Sequence, residues 1–134
     1  MEYVSLIVLY DEDKKILIQH RDGNAPSYPL YWSFFGGHLE ELENPKEGII
    51  RETYEELEVV LQNPKLFYEE VIELNGIEMH CYYFIEKLKN KNQIVLHEGQ
   101  GMKWVFPHEI EDMLATPILK DMGPRIEKEL QKAN

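Results

Sequence analysis

Apolar and polar positions alternate in short blocks along most of the chain. Val4 to Leu9 is a compact apolar run that stops at Asp11-Glu12-Asp13-Lys14, and Ile16 to His20 follows it, so the two predict a hairpin. Asn24 to Tyr31 carries Pro26 and Pro29 and predicts a loop, after which Trp32 to Phe35 forms a short aromatic strand leading into Gly36-Gly37. Leu66 to Leu74 and Ile77 to Glu86 flank Asn75-Gly76, a strong signal for a two-residue hairpin turn. Lys89 to Asn92 reads as a polar turn, with further strands at Gln93 to Leu96 and Met102 to Phe106. Pro107 opens a helix through Ala115, and Pro124 sits in the first turn of a last helix running to about Lys132. Hairpins mixed with helices exclude a purely parallel sheet and predict an α+β fold, a mixed β-sheet with helices on its faces.

Between these blocks the period changes from two to 3.6. Asn44 is a preferred N-cap, Pro45 suits the first helical position, and Glu47 completes a capping box, so a helix is expected from Pro45 to about Val59. Ile49, Ile50, Thr53, Tyr54 and Leu57 gather on the side that faces the core. Glu52, Glu55 and Glu56 fall at i, i+3 and i+4 on another, exposed side, where like charges cost roughly 0.2–0.5 kcal/mol per pair. A bare acidic face is usually just solvated; here divalent cations and the Arg51 guanidinium are the candidates to offset the repulsion.

The 134 residues suffice for one domain, 1–134, and no repeat or Gly/Ser linker divides them. The single cysteine, Cys81, lies in an apolar run and reads as strand filler. The net charge of −11 argues against nucleic-acid binding, which needs basic surface. It would also repel a polyphosphate, so an acidic protein acting on phosphates needs cations held by carboxylates. No apolar run approaches the roughly 20 residues of a membrane span. The start has neither a basic n-region nor a cleavage site, and a cytoplasmic location is expected.

Gly37, Glu43, Arg51, Glu52, Glu55 and Glu56 together resemble the Nudix box: G, five residues, E, seven residues, then R-E-U-x-E-E-x-G-U with U apolar. Two positions depart, with Thr53 at a usually aliphatic site and Glu58 replacing the second glycine. The resemblance implies an α/β/α sandwich and a hydrolase of nucleoside diphosphate derivatives, dependent on Mg²⁺ with Mn²⁺ as a substitute. It implies metal ligands at Glu52, Glu55 and Glu56 and at the carbonyl of Gly36, with Gly37 and Glu43 structural. Arg51 would orient the carboxylates, with Glu43 as its ionic partner. The segment His97 to Trp104 looks like the loop where antimutator-type members add a glutamate, which makes Glu98 a further ligand; either Glu52 or Glu98 would be the base. Gly99 and Gly101 suggest that this loop is mobile. Relatives often carry proline where this chain has Phe35, and Glu58 in place of glycine predicts a helix that either runs on, as far as Asn63-Pro64, or ends in another way. Arg21 is a candidate phosphate contact or else a surface arginine, and Trp32 and Phe34, alternating beside the glycines, are candidates to stack on a base, although aromatics at period two more often fill the core. The five histidines lack metal-ligand spacing and read as incidental.

Signatures of particular substrates are mostly missing. Leu74-Asn75-Gly76 stands where dinucleoside polyphosphate hydrolases show tyrosine and ADP-ribose hydrolases proline, and Leu114-Ala115-Thr116-Pro117 lacks the asparagine that reads oxidised guanine. The expected substrate is a small nucleotide, foremost a (d)NTP cleaved to monophosphate and pyrophosphate, with a nucleotide sugar second. Other classes weighed are an isomerase using Cys81 and a catalytically silent nucleotide sensor. A homodimer is compatible with the sequence.

Overall fold

The computed structural model describes residues 1–133. Its strands are β1 (Glu2–Tyr10), β2 (Ile16–His20), β3 (Trp32–Ser33), β4 (Phe35–His38), β5 (Lys65–Leu74), β6 (Ile77–Lys87) and β7 (Gly101–Val105); its helices are α1 (Pro45–Leu57) and α2 (Pro117–Gln131). One mixed sheet runs β3-β2-β1-β6-β5, with β4 on β1 and β7 on β2. Among the described strands, only β1 and β6 pair in parallel.

Alternation along the central strands creates two cores. Val8, Ile16, Ile18, Cys81, Tyr83 and Ile85 face the side covered by Leu119, Met122, Ile126 and Leu130 of α2. Ile7, Leu9, Leu17 and Phe84 face the other, covered by Ile49 and Leu57 of α1. With both faces buried, the central strands carry apolar side chains at consecutive positions. The result is the expected α/β/α sandwich, with Cys81 fully buried as strand filler.

The β5–β6 hairpin turns on Asn75 (φ 53°) and Gly76 (φ 81°), both left-handed as a two-residue turn of this kind requires. The β1–β2 hairpin is thinner than expected. It pairs only at Tyr10–Ile16, because β4 takes the edge of β1 from Val4 to Ile7 while β2 turns to β3 and β7.

Five expectations fail. Gln93 to Leu96 is no strand: Lys91–Gln93 is a 3₁₀ turn, and the amides of Val95 and His97 donate instead to the carbonyls of Leu57 and Glu56 (2.9 and 2.8 Å). Those carbonyls are orphans of the last turn of α1, and satisfying them outweighs a sheet ladder here. The helix predicted from Pro107 to Ala115 is a 3₁₀ helix, Pro107–Asp112. Pro124 lies inside α2, which starts earlier behind Thr116 as N-cap and Pro117 in its first turn. Burial of Leu119, Met122 and Ile126 carries the helix through the missing amide. Tyr54 is exposed rather than core-facing, since Ile49, Thr53 and Leu57 fill the contact line of α1, with Ile50 packed beside them. Finally, α1 neither reaches Val59 nor runs on. Glu58 itself adopts the left-handed cap (φ 54°, ψ 29°) usually given to glycine, its amide donating to the Tyr54 carbonyl.

Candidate active site

The N-terminus of α1 is set by local chemistry. Asn44 Oδ1 accepts from the Glu47 amide (2.8 Å) and Glu47 Oε1 from the Asn44 amide (3.0 Å). Buried Ser5 on β1 then donates to the Pro45 carbonyl (2.9 Å), fixing the helix to the sheet. This lays the later turns of α1 beside β4, where Gly36 and Gly37 meet the glutamates. The Gly36 amide donates to Glu56 Oε1 (2.8 Å), so this glycine touches the cluster through its N–H. A Cβ on Gly37 would lie 2.8 Å from Glu52 Oε1, and one on Gly36 would lie 2.2 Å from the Ser5 carbonyl oxygen. Side chains are excluded here so that backbone and carboxylates can touch.

Arg51 is the hub of the acidic cluster. It binds Glu43 bidentately (Nε–Oε2 2.8 Å, Nη2–Oε1 3.0 Å), reaches Glu52 Oε1 (3.1 Å) and Glu55 Oε1 (2.7 Å), and donates to the His38 carbonyl (3.2 Å). The Arg51 hydrogen bonds hold the Glu43 carboxyl below its usual range, and those Arg51 donates to Glu43 and Glu52 push the guanidinium up. The Arg51–Glu43 pairing expected from the box is thus present as a planar fork.

The glutamates are not equivalent, and they do not share an exposed face. Glu56 is 3% exposed, and burial above all, then a hydrogen bond and charge from Glu98, drives its pKa well up. Glu52 is partly buried and also raised, by burial first, with Arg51 opposing. Glu55 is solvent-exposed and turned to Arg51. The structure therefore brings Glu56, Glu98 and Glu52 together with Gly36, and ties Glu55 to the hub. A helical wheel cannot show this, because what covers Glu56 comes from β4 and from the loop at Glu98, remote in sequence.

A cleft of about 340 Å³ opens next to the cluster, lined by Arg21, Phe34, Gly36, Asn75 and Thr116 among others. Phe34 contributes to its wall while also packing on Tyr83 (5.7 Å). Arg21 reaches the cleft, its Nε donating to the Ser27 carbonyl (3.0 Å). Trp32 does not face it; its ring stacks on His20 (4.4 Å, 10°) and packs against the α2 core.

Among the described residues, no three His, Cys, Asp or Glu side chains close on one point as a metal shell. The donor set nonetheless suits a hard divalent cation. The Glu56 carboxyl, which accepts from the Gly36 amide, stands against the Glu98 carboxyl, and Glu52 lies beside them.

A family model described as the NUDIX domain matches residues 2–126. The chain is 29% identical over 109 residues to the asymmetrical bis(5'-nucleosyl)-tetraphosphatase of Caenorhabditis elegans, covering 75% of this chain and 74% of that one. It is 27% identical over 111 residues to the CTP pyrophosphohydrolase of Escherichia coli K12, covering 81% and 78%. Among solved structures, the MutT protein of Methanosarcina mazei Go1 superposes with a TM-score of 0.84 at 21% identity, covering 97% of this chain and 95% of that one. With the box residues assembled around Arg51 and the family model spanning nearly the whole chain, the protein belongs to the NUDIX domain family and is a Nudix hydrolase.

Proposed function

We propose that this protein hydrolyses a phosphoric anhydride bond in a small nucleotide, foremost a nucleoside triphosphate split to monophosphate and pyrophosphate, with Mg²⁺ or Mn²⁺. One observation carries the reading: Gly36 both lines the cleft and donates to Glu56, so a nucleotide in the cleft would present its phosphates to the carboxylates. Glu52, Glu56, Glu98 and the Gly36 carbonyl would hold the cations, with Glu55 joining on release from Arg51. When bound, the cations would neutralise phosphoryl oxygens and orient the attacking water. Arg51 keeps Glu52 oriented, Glu52 or Glu98 accepts the proton of the water, and the bridging P–O bond breaks as pyrophosphate leaves. Arg21 would contact phosphate, and Phe34 would pack against the base.

The cleft volume lies at the low end of small-molecule sites and suits one nucleoside rather than two. The tetraphosphatase relative favours a dinucleoside polyphosphate as second reading, although Leu74-Asn75-Gly76 lacks the tyrosine expected of that branch. A panel of (d)NTPs including CTP, a dinucleoside tetraphosphate and nucleotide sugars, with product analysis in ¹⁸O water, tests this. The expected result is monophosphate and pyrophosphate from a triphosphate, negligible in chelator and reduced at least roughly a hundredfold by Glu52→Gln. Turnover confined to dinucleotides or nucleotide sugars, or full activity in chelator, refutes the proposal.

A further inference from the structure

Glu58 stands where the Nudix box has glycine, and it takes the backbone geometry of that glycine (φ 54°) despite its side chain. A left-handed non-glycine residue costs stability, so its side chain should do something in return. The side chain meets His97: Glu58 Oε2 accepts from His97 Nε2. The His97 amide also donates to the Glu56 carbonyl (2.8 Å), so His97 is bound twice to the end of α1, immediately before Glu98. The far side of Glu98 is held as well. Gln100 donates through its amide to the His20 carbonyl (2.9 Å) and through Nε2 to His20 Nδ1 (3.0 Å). Gly99, left-handed at φ 82°, packs so closely that a Cβ would come within 2.7 Å of the His20 carbonyl oxygen. The segment that sequence suggests is mobile is pinned at both flanks.

We infer that Glu58 is a positioning residue, which through His97 holds the Glu98 carboxylate against Glu56. It acts on the reaction only through Glu98, and the inference rests on the proposed role of Glu98 in cation binding. Glycine at position 58 would relax the backbone but release His97, so stability and function should move in opposite directions. Outlying partners of metal ligands typically govern about 10–100-fold in affinity or activity.

The test is a cycle of Glu58→Gly and Glu98→Gln, with Glu58→Gln as the conservative variant, read by kcat and by the Mg²⁺ midpoint of thermal stabilisation. The expected result for Glu58→Gly is an equal or higher melting temperature, a kcat lower by about tenfold and a higher Mg²⁺ midpoint. Glu58→Gln, which can still accept from His97, should restore most of both readouts. In the Glu98→Gln background, Glu58→Gly should have no further effect. Glu58→Gly with wild-type kcat and midpoint overturns the inference, as does a further loss in the Glu98→Gln background, or Glu58→Gln as impaired as Glu58→Gly. Wild-type behaviour of Glu98→Gln itself would instead remove the reading of Glu98 on which the inference depends.

Discussion

At the scale of single residues, Arg51 decides which carboxylates are free. The fork to Glu43 is the best-made ion pair in the site, and its pH dependence is calculable in sign. Glu43 is held below its ordinary value of 4.5 in the fold, so its contribution to stability is complete above that value and is lost as pH falls through the lowered one. The gap in melting temperature between the wild type and Glu43→Gln should therefore be full at neutral pH and close only as pH falls through the lowered value. A gap that persists unchanged in acid would mean that the pair contributes through shape alone. Gly37 offers a sharper geometric test. The nearest atoms a Cβ there would meet are those of the Glu52 carboxylate, the flexible end of its side chain. Gly37→Ala should leave the melting temperature nearly unchanged while lowering kcat, by displacing that carboxylate. The Arg51–Glu43 pair and the position of Gly37 were legible in sequence, because the box fixes their offsets. The burial of Glu56 and the Glu58–His97 tie were not, since each depends on a neighbour some 20 to 40 positions away.

At the scale of elements, legibility follows how local the determining chemistry is. The start of α1 and the Asn75-Gly76 turn were foreseen because their hydrogen bonds close within three residues. The end of α1 was not, because its carbonyls are satisfied by Val95 and His97, and Gln93 to Leu96 thereby lose the strand their sequence suggests. Pro124 misled for a related reason: a proline signal is local, whereas the burial that carries α2 through it is tertiary. The local devices make a quantitative prediction. Asn44→Ala removes the acceptor of the capping box and should destabilise by about 1 kcal/mol, visible as a lower denaturant midpoint at unchanged slope. Leu57→Ala, fully buried against the α1 core, should cost more, about 2–5 kcal/mol.

At the scale of the whole molecule, the sandwich sets an acidic cluster with Arg51 as its one basic hub beside a cleft, in a chain of net charge −11. Two effects of added cations must then be separated. Any salt screens the general repulsion, with a Debye length of about 10 Å at 0.1 M. Only a divalent ion seated between carboxylates relieves the apposition of buried Glu56 and exposed Glu98. Mg²⁺ or Mn²⁺ should therefore raise the melting temperature beyond NaCl of equal ionic strength, by the linkage between binding and folding. Glu56→Gln separates site from surface. Without divalent ions the variant should melt at or above the wild type, because a buried carboxyl facing another acid is replaced by a neutral amide that can donate to Glu98. With divalent ions it should gain no more than the NaCl control, and its kcat should fall at least roughly a hundredfold. A variant that still gains the full divalent increment would place the cation away from Glu56, and the carboxylates at Gly36 would then need another role.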